Sequence, residues 1–159
     1  MRSRLRFRNV DATPSDPVET WPFEGVLAAV ERGSLVDWRR LIAAVRREPW
    51  GPVARDLEQA LQVVRPYGTA PLLERALARA RVATVEAERE EVARRVRAAL
   101  ESSGLARAAF AERVGTSNSR LSTYLSGRVV PASTMLVRME RVAARASHAT
   151  PQAAKRERS

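Results

Sequence analysis

At 159 residues with 45% hydrophobic content, the chain has room for one packed domain or two small ones. Only 5% of it is aromatic and alanine is abundant, which favours helices. No cysteine is present, which excludes a disulfide framework and a thiolate metal site. No stretch approaches the ~18 consecutive apolar residues of a membrane span, and no apolar run follows the basic N-terminus as in a secretory leader. The expected location is therefore the cytoplasm, at the nucleoid.

The net charge is +10, almost all of it from arginine, and it is unevenly placed. Residues 1–10 carry four arginines and no acid, residues 11–104 carry 14 basic against 15 acidic residues, and residues 105–159 carry ten against three, a surplus of +7. A solvated surface spreads its charge, whereas a phosphate-facing patch concentrates it.

Residues 1–20 are expected as a flexible basic arm and linker. Arginines at 2, 4, 6 and 8 alternate with Ser3, Leu5 and Phe7. A solvated tail is the first reading, ahead of an arm entering a minor groove and of a short edge strand. The proline-bearing segment 12–17 reads as linker.

A helical bundle is expected over 21–83. Pro22 suits a first turn, Phe23, Val26, Leu27 and Val30 form a stripe, and Gly33 ends it. Ser34 with Asp37 forms a capping box with a shorter acid. It opens a second helix with stripe Leu35, Trp38, Leu41, Ile42 and Val45, closed by Pro49. Pro52 opens a third, with Val53, Leu57, Ala60, Leu61 and Val64 inward. Three such helices bury their stripes only against each other. Trp38 and Trp50 are expected as core or interface anchors.

From Pro71 to about Ser102 the pattern is helical, either as one helix or as two with a break near Thr84. Leu72, Leu73, Ala76, Leu77 and Ala80 make its first stripe, and Val85, Val92, Val96, Ala99 and Leu100 its second. Charge is dense between them. Glu86 and Glu90 form a repulsive i,i+4 pair, and Glu91 with Arg95 an attractive one. The tract reads as a plain solvated helix or as a dimer-forming coiled segment.

In 107–126 Phe110, Ala111 and Val114 give a short helix an apolar face, and Gly115 stops it in the conformation that turns the chain steeply. Thr116 or Ser117 can cap a second helix, in which Leu121, Tyr124 and Leu125 face inward while Asn118, Ser119, Ser122 and Thr123 lie on other faces. Ala111 leaves room for the second helix to cross closely. This is the steric logic of a helix-turn-helix.

Phe110, Ala111, Val114, Gly115, Leu121 and Tyr124 occupy the spacing of the Cro-like or XRE helix-turn-helix family, and LSTYLSGRVVP resembles the end of its recognition helix and the following loop. The resemblance covers about 86–145. It implies an all-α fold: a lambda-repressor-like DNA-binding domain over 84–146, preceded by the small helical bundle. It implies too that Ser117, Asn118, Ser119 and Thr123 face base edges, while Arg107, Thr116, Arg120 and Arg128 face phosphates. The chain departs from many relatives in having Arg107 where glutamine is common.

After a loop at 127–131, a last helix is expected over 132–146, with Met135, Leu136, Met139, Val142 and Ala143 inward. A disordered basic tail is expected over 147–159. His148, the sole histidine, has no partner for metal binding or acid–base chemistry.

No nucleophile, metal or phosphate-loop motif is present, so no enzyme, metal or cofactor is expected. The expected function is a sequence-specific transcriptional regulator, a repressor, acting on double-stranded DNA. The alternative is an antitoxin that represses its own operon while residues 21–83 hold a toxin. A homodimer is expected, held mainly by the N-terminal part.

Overall fold

The computed structural model describes residues 5–8 and 10–156, with side chains through His148. Among them are a 3-10 turn, Val18–Thr20, and seven helices: α1 (Phe23–Arg32), α2 (Leu35–Arg47), α3 (Pro52–Val63), α4 (Thr69–Ser103), α5 (Arg107–Val114), α6 (Asn118–Leu125) and α7 (Ser133–Arg156). No strand occurs among the described residues. The chain forms two compact units, Met1–Val85 and Glu86–Ser159.

The core of unit 1 gathers Val26, Ala29 and Val30 from α1, Leu41 and Val45 from α2, Ala54, Leu57 and Leu61 from α3, and Leu73 and Leu77 from the start of α4. The capping box of α2 is formed. Ser34 donates from both its backbone N–H and its Oγ to Oδ2 of the fully buried Asp37, each at 2.9 Å. Trp38 lies against the core, and its indole N–H donates to the Ala29 carbonyl at 3.0 Å.

Three expectations need correction here. Leu35, expected inward, is 51% exposed, because it lies within the capping box at the first position of α2 and the buried face begins at Asp37. Trp50, expected as an anchor, is 48% exposed, since it sits in the turn between α2 and α3, outside either helix's inward face. The buried tryptophan is Trp21, whose indole N–H donates to the Asp16 carbonyl at 3.0 Å, with the Arg40 guanidinium 4.9 Å above its ring.

The third correction concerns the arm and linker, which in their described part are packed. Leu5 and Val18 are buried, and Phe7 meets Trp21 edge-on with centroids 5.1 Å apart. Arg40 also donates to the carbonyls of Pro14 and Asp16. These contacts replace the solvation that a loose linker would need. Arg2 and Arg4 lie outside the described residues.

One helix, α4, covers the tract for which a break near Thr84 was an option. It starts two residues before Pro71, which thus falls in the first turn, where its missing N–H costs nothing. From Val82 to Glu91 no residue is buried, so helix propensity rather than packing carries the backbone there.

Unit 2 has its own core: Val96 and Ala99 from α4, Phe110, Ala111 and Val114 from α5, Leu121 and Tyr124 from α6, and Leu136, Met139 and Ala143 from α7. The last helix continues past Ala146 to Arg156, where a disordered tail was expected from 147. Ala146 is buried, and the Ser147 hydroxyl donates to the Ser102 carbonyl at 2.6 Å, which ties the helix down beyond its expected end. Residues 157–159 lie outside the described part.

Candidate nucleic-acid interface

Phe110, Val114 and Leu121 are fully buried, and Ala111 and Tyr124 nearly so, which fixes how α5 and α6 cross. The crossing turns on Gly115, at φ 75° and ψ 42°. A side chain in that left-handed conformation costs about 1 kcal/mol or more. Gly115 N–H donates to the Glu112 carbonyl at 3.1 Å and Thr116 N–H to the Ala111 carbonyl at 2.9 Å, the paired bonds of a Schellman termination. Ser117 then caps α6, its Oγ accepting from the Arg120 N–H at 3.1 Å.

The residues singled out in the sequence divide by what their side chains already do. The Ser117 hydroxyl is engaged as the cap. Thr123 is half-buried, and its hydroxyl donates to the Arg120 carbonyl at 2.8 Å, within its own helix. Thr116 is half-buried in the turn. Asn118 and Ser119, in the first turn of α6, are exposed. Ser122 is exposed one turn beyond Asn118, on the same face at i+4. Its i+4 spacing from Asn118 is the signal in the sequence for it, whereas Thr123 lies at the edge of that face.

Arg107, Arg120 and Arg128 are exposed, as is Arg113 at the end of α5, and among the described residues none of the four is ion-paired. The arginines of the α4 end differ. Arg94 pairs with Glu91, Arg95 with Glu140 and Arg97 with Glu90, each at 2.5 Å. The Arg94 guanidinium, hydrogen-bonded to Glu91, holds that carboxyl below its ordinary range. The uncompensated positive charge of unit 2 therefore includes the surface of the motif itself.

Two further arginines, absent from the sequence-based set, bind the motif's backbone from its neighbours. Arg138 of α7 donates to the Val114 carbonyl at 3.1 Å, and Arg97 of α4 to the Leu125 carbonyl at 2.7 Å. Each places a cation at the C-terminal end of a motif helix, where the helix dipole is negative. No local pattern announces such contacts, because both partners come from different elements. Beyond α6, Val129 and Val130 stand about half-exposed beside Arg128, on a groove shared with Thr116, Ser117, Arg120 and Met135.

Among the described residues no helix is long and apolar enough to cross a membrane, and no group of three histidine, cysteine or acidic side chains could hold a metal ion. Residues 96–143 match the family model described as Helix-turn-helix. No curated protein and no solved structure matches the chain. The matched segment runs from the end of α4 through α5, the Gly115 turn and α6 into α7, the parts that build the core of unit 2. This segment is a helix-turn-helix of the Cro-like, XRE type, which supports a DNA-binding transcription regulator at family level.

Proposed function

We propose that the protein is a sequence-specific repressor that lays α6 in the major groove of double-stranded DNA. The observation that carries this is the first face of α6. Asn118, Ser119 and Ser122 are exposed there, and the unpaired Arg107, Arg120 and Arg128 lie in the same motif. Hydrogen-bonding side chains with no partner among the described residues read base edges, and the arginines neutralise phosphates. Ser117 and Thr116 contribute through the exposed start of the helix, and Thr123 acts at the edge of the reading face, since its hydroxyl has a backbone partner. Repression needs nothing beyond occupancy of a promoter.

A homodimer held by unit 1 fits this role, because one short recognition helix reads few base pairs and two in successive major grooves, ~34 Å apart, read a symmetric site. Unit 1 exposes Val63, Tyr67 and Leu72 around the α3–α4 turn, and apart from the four arginines of residues 1–10 its charge is balanced, ten basic against ten acidic residues over 11–85, so two copies can meet away from those arginines without net repulsion. The same exposed side chains favour the second reading, an antitoxin whose unit 1 binds a toxin. Genome-wide mapping of bound DNA tests the function. A two-fold symmetric site at promoters is expected. DNA recovered without a common site would refute sequence-specific regulation, and a co-purifying protein bound through unit 1 would select the second reading.

A further inference from the structure

We infer that the strip carrying Arg6 and Arg8 is a second DNA-contacting surface, on unit 1, which grips phosphates of a duplex. This rests on the DNA-binding reading above and adds a site outside the helix-turn-helix.

Alternation sets the strip's two sides. Leu5 is buried in the core of unit 1 and Phe7 lies edge-on to Trp21, whereas Arg6 and Arg8 are exposed. The docking of Phe7 is built into α1. Gly25 occupies the helix's buried face, where glycine costs about 1 kcal/mol relative to alanine. A Cβ at that position would stand 3.1 Å from both Cε2 and Cζ of Phe7. The glycine makes room for the ring. Trp21, the other wall, is fixed in turn by its bond to Asp16 and by Arg40. The backbone bearing the two arginines is thus held before any ligand arrives, which reduces the ordering cost of binding.

Charge gives the ligand class. Residues 11–85 are balanced, ten basic against ten acidic, so the whole surplus of unit 1 comes from Arg2, Arg4, Arg6 and Arg8. Among the described residues, Arg6 and Arg8 form no ion pair. Exposed guanidiniums on an anchored backbone, with no acidic partner among the described residues, suit a polyanion. A membrane surface would ask for apolar side chains beside the arginines, and Leu5 and Phe7 are turned inward. Single-stranded RNA would ask for an aromatic face on which bases stack, and Phe7 is spent on Trp21. Duplex DNA needs only the charges, and α6 on the same chain supplies it at high effective concentration.

The test uses the full chain and a duplex with the mapped site and long flanks. Replacing both arginines, Arg6→Gln with Arg8→Gln, should flatten the dependence of log affinity on log salt by about 1.8, or 0.9 per phosphate. Discrimination between true and scrambled sites should not change. A control of equal charge, Arg75→Gln with Arg79→Gln on α4, should flatten it by less than half as much. Phe7→Ala keeps every charge and should weaken binding several-fold at fixed salt while circular dichroism stays helical. A wild-type salt slope in the Arg6/Arg8 variant, an equal loss in the control, or unchanged affinity in Phe7→Ala would overturn the proposal. So would loss of binding to single-stranded RNA or anionic vesicles with the duplex slope intact, which would assign the strip to another polyanion. If the wild-type chain binds no duplex, the parent reading fails and takes this one with it.

Discussion

Arg138 on α7 donates to the carbonyl of Val114, the last residue of α5, at 3.1 Å, and the same guanidinium lies 3.5 Å from where a Cβ on Gly115 would stand. The bond meets the chain where it leaves one motif helix for the other. Arg138 is thus a positioning residue, and its charge is committed to a carbonyl. Arg138→Ala should cost about 1 kcal/mol of unit 2 stability, since a charged donor at an exposed helix end is partly replaced by water. It should lower affinity for the true site more than for random DNA. Urea unfolding with paired affinity measurements checks this. Arg138→Lys, keeping one donor and the charge, should recover most of the loss, and an equal loss on all sequences would make Arg138 a phosphate contact instead.

The base-reading and phosphate-contacting residues should separate in the same assay. Asn118 presents a donor and an acceptor from the first turn of α6, and Asn118→Ala should cost ~1 to 3 kcal/mol on the true site while relaxing preference at one base pair. Arg128→Ala should weaken all sequences alike and reduce the salt slope by about 1. Ser122→Ala should resemble Asn118→Ala and exceed Thr123→Ala, whose hydroxyl already serves Arg120. Binding to a randomised duplex library reads all four.

The motif was legible in the sequence because its constraints are local. Gly115 stands where only a left-handed residue turns the chain, and Phe110, Val114, Leu121 and Tyr124 keep helical spacing on either side of it. Ser34 and Asp37 were legible for the same reason. The continuity of α4 was not, because from Val82 to Glu91 nothing is buried, and Leu72 and Val85, expected in its two stripes, are exposed. Trp21, Leu5 and Phe7 escaped for a different reason. Their burial depends on α1 offering Gly25 and α2 offering Arg40, and contacts between distant segments leave no trace in either segment alone. Arg97 and Arg138 were hidden likewise, since each reaches a carbonyl on another element.

In unit 1 the pair Arg81–Glu58 gives a pH dependence. Arg81 Nη1 and Nη2 meet Glu58 Oε1 and Oε2 at 3.0 Å each, and Arg81 Nε donates to the Pro49 carbonyl at 3.2 Å, so α4, α3 and the α2–α3 turn are joined. The Arg81 hydrogen bonds hold the Glu58 carboxyl below its ordinary 4.5. A carboxyl lowered in the folded state stabilises above its unfolded value, and the benefit fades as pH falls through the folded one. Glu58→Gln should therefore lower stability at pH 7 by less than about 1 kcal/mol, given the pair's exposure. The gap from wild type should close as pH drops well below 4.5. Urea melts across that range check it, and a gap that widens in acid would contradict the pairing.

The last prediction concerns a fragment beginning at Glu86. All ten residues of the second core lie at Val96 or beyond, so truncation at the boundary between the units removes none of them. The cut does fall inside α4, which creates a new helix N-terminus in the middle of an existing helix. The sequence there suits one. Glu86 and Glu88 fall in the new first turn, followed by Glu90 and Glu91, and acidic residues at that end complement the helix dipole by ~0.3 to 1 kcal/mol each. The fragment should therefore unfold cooperatively by circular dichroism and keep the base preference of the full chain, because α6 and its supports Arg97 and Arg138 are all retained. It should nevertheless bind more weakly and with a shallower salt slope, having lost unit 1 with Arg6 and Arg8 and any dimer contact made there. Sedimentation separates the last two contributions. A monomeric fragment beside a dimeric full chain assigns part of the loss to pairing, and comparing the slope with that of the full-chain Arg6→Gln, Arg8→Gln variant isolates the arginine strip. A fragment as tight-binding as the full chain would show that unit 1 takes no part in holding DNA.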